Sequence, residues 1–234
     1  MKIFVFGSSI TSSYWNGAAT YYRGIYRQLS LLGHEITFAE PDAYGRQQHR
    51  DPGDFSYVNS IVFTTETDLR RLLERACAAD LVIKHSGLGV FDELLEELVL
   101  ECRSGVTAVA FWDVDAPATL ARVENNALDN FRRLIPEYDL VFTYGGGAQV
   151  VDRYLRLGAA SCHPVYNALD RDTHFPVQPD AELACDLLFA GNRLPDREAR
   201  VEQFFLRAAA LAPHFKFALA GEGWAGKKLP ENVR

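Results

Sequence analysis

With 234 residues, the chain has room for one large domain or one and a fraction, at roughly 150 residues per domain. Its 24 Lys and Arg against 31 Asp and Glu leave a net charge of −7, which argues against general binding of a polyanionic nucleic-acid backbone. A hydrophobic share of 48% with 24% charged residues excludes disorder, collagen-like repeats and a coiled coil, and leaves enough apolar material for a sizeable core.

Short runs rich in Val, Ile and Phe alternate with segments of helical period, the pattern of a parallel sheet covered by helices. The first strand is read at Lys2 to Gly7. Ala18, Ala19, Tyr22, Ile25, Tyr26, Leu29 and Leu32 then recur at three- and four-residue steps, and Gly33 is expected to cap that helix in the left-handed region. Glu35–Ala39 is the second strand. From Tyr44 to Asp54 the text is polar, with Asp51-Pro52-Gly53 turn chemistry, and predicts a mobile surface excursion.

Leu69, Leu72, Leu73 and Ala76 mark the next helix, with Thr65 or Thr67 at its start, and Asp80–Lys84 the next strand. Phe91 to Cys102 carries another apolar helical stripe. Val106–Trp112 is a strand ending in Asp113, with Asp115 as an expected helix cap ahead of Pro117. Asp139–Thr143 precedes Tyr144-Gly145-Gly146-Gly147 and a helix, and His163–Tyr166 closes this half. Composition shifts between Asn167 and Asp186, and one βαβ unit follows, with strands at Leu187–Gly191 and Phe215–Ala220. The expected organisation is a Rossmann-like domain over residues 1–170, a linker over 171–185 and the first βαβ of an incomplete second domain over 186–234.

No apolar run approaches the ~18 residues of a membrane helix, and Ile3–Phe6 is too short for a signal-peptide core, so the expected location is the cytoplasm. Cys77, Cys102, Cys162 and Cys185 lack paired spacing and are read as reduced structural thiols. Adjacent Cys162 and His163 would face opposite sides of a strand, so no metal site is expected there.

In an open parallel sheet, ligands bind beyond the carboxyl ends of the strands, which directs attention to the residues after each one. The loop Gly7–Gly17 is hydroxyl-rich and leads into a helix N-terminus. Ser8, Ser9, Trp15, Asn16 and Gly17 are candidate ligand contacts, with Trp15 suited to stacking on a flat or sugar ring. The competing reading is a plain loop in which Asn16 or Ser13 caps the helix. It is not a GxGxxG fingerprint, which weakens a dinucleotide-binding reading.

His85 follows a strand and is either a base near neutrality or a satisfied core histidine. Asp113 and Asp115 stand two apart and could position a sugar or take a proton, although Asp115 also reads as a cap. Tyr144, Gly145, Gly146 and Asn167 follow later strands. In the last segment Gly191, Asn192, Arg193, Arg197, Gly221 and Trp224 follow two strands, with the arginines suited to a diphosphate. The alternative is that Arg197 pairs with Glu198 or Glu202 on the helix surface.

The text Phe111-Trp112-Asp113-Val114-Asp115-Ala116-Pro117, then Tyr144-Gly145-Gly146-Gly147, Tyr166-Asn167-Ala168-Leu169-Asp170, Gly191-Asn192-Arg193 with Asp196-Arg197-Glu198, and Gly221-Glu222-Gly223-Trp224, resembles the CgeB-like glycosyltransferase family. So does Gly17-Ala18-Ala19-Thr20-Tyr21-Tyr22-Arg23-Gly24, and the likeness runs along the whole chain. It implies a two-domain GT-B enzyme with acceptor recognition in the first domain and nucleotide-sugar recognition in the second. A nucleoside diphosphate sugar would be the co-substrate, the acceptor a glycan, protein or small molecule, and neither metal nor further cofactor would be required.

Under that resemblance Arg193 and Arg197 meet the donor diphosphate, and Asp113 or His85 is the catalytic candidate. The family's acidic, glycine-rich donor segment has no counterpart before Arg234. The chain alone is therefore expected to be a poor catalyst, and its incomplete last sheet is expected to promote a homodimer. The alternative of another class is a non-catalytic sugar- or nucleotide-binding module completed by a partner.

Overall fold

The computed structural model describes residues 1–170 and 174–234, the side chain of Asp196 excepted. The expected linker opens on residues 171–173, outside the described residues. The chain divides into two compact units, Met1–His174 and Phe175–Arg234.

The first unit is an all-parallel seven-stranded sheet. In chain order it runs β1 (Lys2–Phe6), α1 (Ala19–Leu31), β2 (Glu35–Pro41), β3 (Asn59–Phe63), α2 (Glu66–Ala76), β4 (Leu81–His85), α3 (Asp92–Leu98), β5 (Ala108–Asp113), α4 (Ala116–Asn125), α5 (Asn130–Leu134), β6 (Leu140–Thr143), α6 (Gly147–Arg156) and β7 (Cys162–Pro164). The strand order is β3-β2-β1-β4-β5-β6-β7. The order reverses between β1 and β4, which register Ile3 on Leu81 and Phe6 on Lys84. In open parallel sheets such a switch point is where ligands meet the strand ends; here the loops leaving β1 and β4 are bridged by Arg46, whose Nη1 donates to the Ser8 and Leu88 carbonyls.

Side chains alternate across the sheet as strand geometry demands. Phe4, Phe6, Val82, Val109, Phe111 and Val141 face a core built with α2 to α6. Ile3, Val5, Ile83, Ala110 and Trp112 face a second core under Tyr21, Tyr22 and Tyr26 of α1. Helix ends follow local chemistry. Thr65 caps α2 by accepting from the Asp68 amide while the Asp68 carboxylate accepts from the Thr65 amide, a reciprocal box. Gly33, at φ 87°, ends α1 as expected.

Three expectations are corrected. Strand β3 was not read at all, because its half-exposed edge position gives it little apolar contrast. The excursion from Tyr44 to Asp54 is tied down: the Asp51 amide donates to the Thr11 carbonyl, Ser12 Oγ to the His49 carbonyl, and Arg46 is 5% exposed. Cys77 and Cys102 form a disulfide with Cα atoms 4.3 Å apart, since the end of α2 and the short turn Val99–Cys102 after α3 meet on the same sheet face. Cys162 and Cys185 remain free thiols.

The second unit holds β8 (Leu187–Ala190), α7 (Pro195–Val201), a π-helical turn at Glu202–Leu206, α8 (Arg207–Leu211) and β9 (Phe217–Ala220). The two strands are parallel, Leu187 beside Phe217, and Val233 bridges Phe217 in parallel. Its core is Val201, Leu206, Ala209, Phe217, Trp224 and Val233. Among the described residues no helix is long and apolar enough to cross a membrane.

Candidate functional site

In the first unit the candidate residues gather on loops at the carboxyl edge of the sheet. The loop after β1 is braced from inside. Ser8 Oγ donates to Asn16 Oδ1 at 2.8 Å, and Asn16 Nδ2 donates to the carbonyls of Ser9 and Ser12 at 2.8 and 3.0 Å. All three candidates, Ser8, Ser9 and Asn16, are buried, and the Asn16 side chain does not cap α1. Trp15 is the opposite case, 41% exposed with φ 48°, beside exposed Gly17.

Asp113, at the end of β5, is fully buried and completely engaged. Its Oδ1 accepts from Ser86 Oγ at 2.8 Å, the Asp115 amide at 3.0 Å and Thr119 Oγ1 at 3.1 Å, and its Oδ2 accepts from Tyr154 OH at 2.5 Å. Burial and the adjacent carboxylate push the Tyr154 phenol far above its ordinary range, so it stays a donor. Asp115 is exposed at the N-cap of α4, without a side-chain cap hydrogen bond.

His85 lies on the other face of the sheet. Its ring stacks on Trp112 at 5.1 Å, contacts Tyr22 at 4.4 Å and meets Tyr26 OH through Nε2 at 2.5 Å. Burial, and then the Lys84 charge, hold its pKa well below 6.5, so the imidazole is neutral. The expectation of a proton acceptor at Asp113 or His85 therefore meets two side chains closed off from solvent. Each one organises its surroundings.

The Tyr144 amide donates to the Asp113 carbonyl at 2.8 Å, and its ring packs edge-on against Tyr21 at 4.7 Å. Gly146, with φ 91°, is the N-cap of α6; a Cβ there would stand 2.2 Å from Val150, so the backbone can take this path only as glycine. Gly145 lies under the Tyr166 ring, and Asn167 is exposed beside Thr20 and Leu169.

Sequence reasoning missed several residues. Glu40, fully buried at the end of β2, accepts from the Ile10 amide and Thr11 Oγ1, both at 2.6 Å. Arg46 donates through Nη1 to the carbonyls of Ser8 and Leu88, each at 3.2 Å. Lys84, also buried, pairs with Asp92 at 2.6 Å. The available signal was position: Glu40 and Lys84 stand at the ends of strands in apolar runs, where a charge needs an internal partner. Arg46 carried no such mark.

In the second unit all six candidates meet at one end of β8 and β9. Trp224 Nε1 donates to the Gly191 carbonyl at 2.8 Å, Arg197 Nη1 to the Asn192 carbonyl at 3.0 Å, and the Glu222 amide to Asn192 Oδ1 at 2.9 Å. A Cβ on Gly221 would stand 2.3 Å from the Gly191 carbonyl oxygen, so the two loops touch only because glycine is there. Arg193, rather than Arg197, pairs with Glu198, at 2.7 Å. Glu198 also takes Lys227 at 2.7 Å, and hydrogen bonds first from Arg193 and then from Lys227 hold its carboxyl down at about 2.

No protein-family model and no curated protein matches this sequence. Solved structures do. The chain is similar to Arabidopsis thaliana UGT89C1 complexed with UDP-L-rhamnose, at 12% identity and TM-score 0.55, covering 100% of this chain and 67% of that one. It is also similar to an alpha-glucosyltransferase in complex with UDP, at 14% identity and TM-score 0.58, covering 94% of this chain and 58% of that one. The same enzyme with UDP and a 13-mer DNA aligns at 14% identity and TM-score 0.52, over 94% and 54%. The chain thus spans between about half and two thirds of these proteins. Its α/β, Rossmann-like architecture is the one found in GT-B glycosyltransferases.

Proposed function

We propose that this chain belongs to a GT-B glycosyltransferase of the CgeB-like kind, acting in the cytoplasm. The reaction transfers a sugar from a nucleoside diphosphate sugar to a glycan, protein or small-molecule acceptor without metal or further cofactor. The carrying observation is the joining of Gly191, Asn192, Arg193, Arg197, Gly221 and Trp224 at one strand end, in a fold shared with enzymes solved with UDP and UDP-L-rhamnose. Arg193 and Arg197 supply planar, permanently charged donors to the diphosphate and stabilise it as the leaving group. Arg193 exchanges its Glu198 partner for the phosphate, a low-cost swap at an exposed pair.

On the acceptor side, the loops bearing Trp15, Gly17, Asp115, Tyr144, Gly145, Gly146 and Asn167 shape the rim. Ser8, Ser9, Asn16, Asp113 and His85 hold those loops in place. The burial of Asp113 and His85 favours a second reading, a nucleotide-sugar-binding module that a partner or a second copy completes. Isothermal titration with UDP- and GDP-sugars, followed by a product assay on the same sample, separates the two. Binding with turnover supports the transferase over the module, binding without turnover fits the poor catalysis expected of this chain alone in either reading, and no binding of either nucleotide class overturns both.

A further inference from the structure

Among the described residues, three outside glycine have positive φ: Trp15 after β1 (φ 48°), Tyr44 after β2 (φ 57°) and Phe91 after β4 (φ 58°). Such a backbone is strained at a bulky residue and persists when its surroundings over-determine it. Phe91 gains by packing against the apolar core, and Tyr44 by donating its hydroxyl to the Gly89 carbonyl at 2.9 Å. The Trp15 ring meets Tyr14 edge-on with centroids 6.3 Å apart, and 41% of the residue stays in water.

The neighbours of Trp15 show how it is held. Tyr14, before it, stacks on His49 at 3.9 Å with ring planes 10° apart. Asn16, after it, is buried with three side-chain hydrogen bonds. Arg46 reaches the Trp15 carbonyl with Nη2 at 3.5 Å while Nη1 holds the carbonyls of Ser8 and Leu88, and the Tyr44 ring lies over the guanidinium at 5.1 Å. A buried guanidinium is thus fixed on carbonyl oxygens from the loops after β1 and β4. The Trp15 backbone is thus held through both neighbours and its carbonyl, while its indole meets the Tyr14 ring edge-on at 6.3 Å and keeps an exposed face.

We propose that Trp15 is a stacking platform for the C–H face of a sugar ring in the acceptor, and that Arg46 is the positioning residue that presents it. The inference deepens the glycosyltransferase reading and rests on it for the acceptor's class. An indole face matches the apolar face of a pyranose, whose rim hydroxyls match the polar groups on and beside this loop, Ser13, Arg23, His49 and Asp51.

The test uses the whole chain and needs no turnover. Trp112 and Trp224 are each 5% exposed, so acrylamide quenching reports mainly Trp15. The methyl glycosides of glucose, galactose and mannose serve as probes, with glycerol as control. At least one glycoside should shield Trp15, and Trp15→Ala should weaken its binding, read by saturation-transfer NMR, about tenfold, with Trp15→Phe retaining most of it. Arg46→Met should weaken binding and raise quenching of Trp15 while the ring itself is intact. Should Arg46→Met not fold, Arg46→Lys, which keeps the charge and loses the fork, carries the same comparison.

Shielding by none of the glycosides, equal affinity in Trp15→Ala, or an Arg46 variant that folds with unchanged quenching and affinity would overturn the proposal. Failure of the transferase reading looks different: glycoside binding persists while neither UDP- nor GDP-sugars bind the chain.

Discussion

At the scale of single residues, the first unit depends on polar side chains that have been turned inward. Asp113 is the clearest, a buried carboxylate with four donors drawn from β5's own loop, the loop after β4, α4 and α6. Removing one donor to a buried charge leaves an acceptor unsatisfied, so Tyr154→Phe should cost about 1.5–3 kcal/mol in urea unfolding. A loss below about 0.5 kcal/mol would mean that water replaces the phenol there. His85 makes the complementary prediction in pH. Its folded pKa lies below the unfolded value of 6.5, so protons bind the unfolded chain first as the pH falls. Its contribution is complete above pH ~6.5 and shrinks below it, at up to about 1.4 kcal/mol per pH unit. Between pH 7 and pH 5, His85→Gln should unfold with a shallower stability slope than the parent chain; parallel slopes would refute the assignment.

At the scale of elements, what could be read from sequence was what a short window determines. The Gly33 end of α1 stands where expected, and of the two threonines read at the start of α2 it is Thr65 that caps it; both follow from chemistry within four residues. The central strands were legible because both their faces are buried. Strand β3 was not, since an edge strand needs only one apolar face. The clasp of the Tyr44–Asp54 segment onto the Gly7–Gly17 loop was illegible for a different reason: its ties, such as Ser12 Oγ to the His49 carbonyl and the Ser13 amide and hydroxyl to the Asp51 carboxylate, join residues 37 and 38 apart, which no local pattern encodes.

The Cys77–Cys102 bridge belongs with these non-local features, because a separation of 25 residues says nothing until α2 and α3 are laid side by side. Closing a loop of that length stabilises the chain by about 3 kcal/mol on the chain-entropy account. Reduction with dithiothreitol, or Cys77→Ser, should therefore lower the melting temperature by several degrees, with reduction exposing two further thiols and Cys77→Ser one to titration under denaturing conditions. Four reactive thiols in the untreated, unfolded chain would show that the bridge does not form.

At the scale of the whole molecule, the rule that ligands meet strand ends picks candidates in both units. In the second unit it picks Gly191, Arg193 and Gly221, which the structure joins with Trp224 and Glu198 at one end of β8 and β9. Ser8, Ser9 and Asn16 satisfy the same rule, yet the larger unit uses them as internal braces. The difference has a thermodynamic consequence. Chains near ~60 residues bury a small share of their surface and are marginal alone, and the second unit's core is six buried residues with one tryptophan, Trp224. In a Trp15→Phe, Trp112→Phe background, fluorescence should therefore report an unfolding midpoint in urea below the one seen by circular dichroism, which is dominated by the first unit. If Arg193 and Arg197 hold a nucleoside diphosphate, UDP at about 100 times its dissociation constant should raise the lower transition by about 2.7 kcal/mol and leave the upper one in place. Coincident transitions would refute the separation of the two units in stability, and a UDP-induced rise confined to the upper transition would move the nucleotide to the first unit.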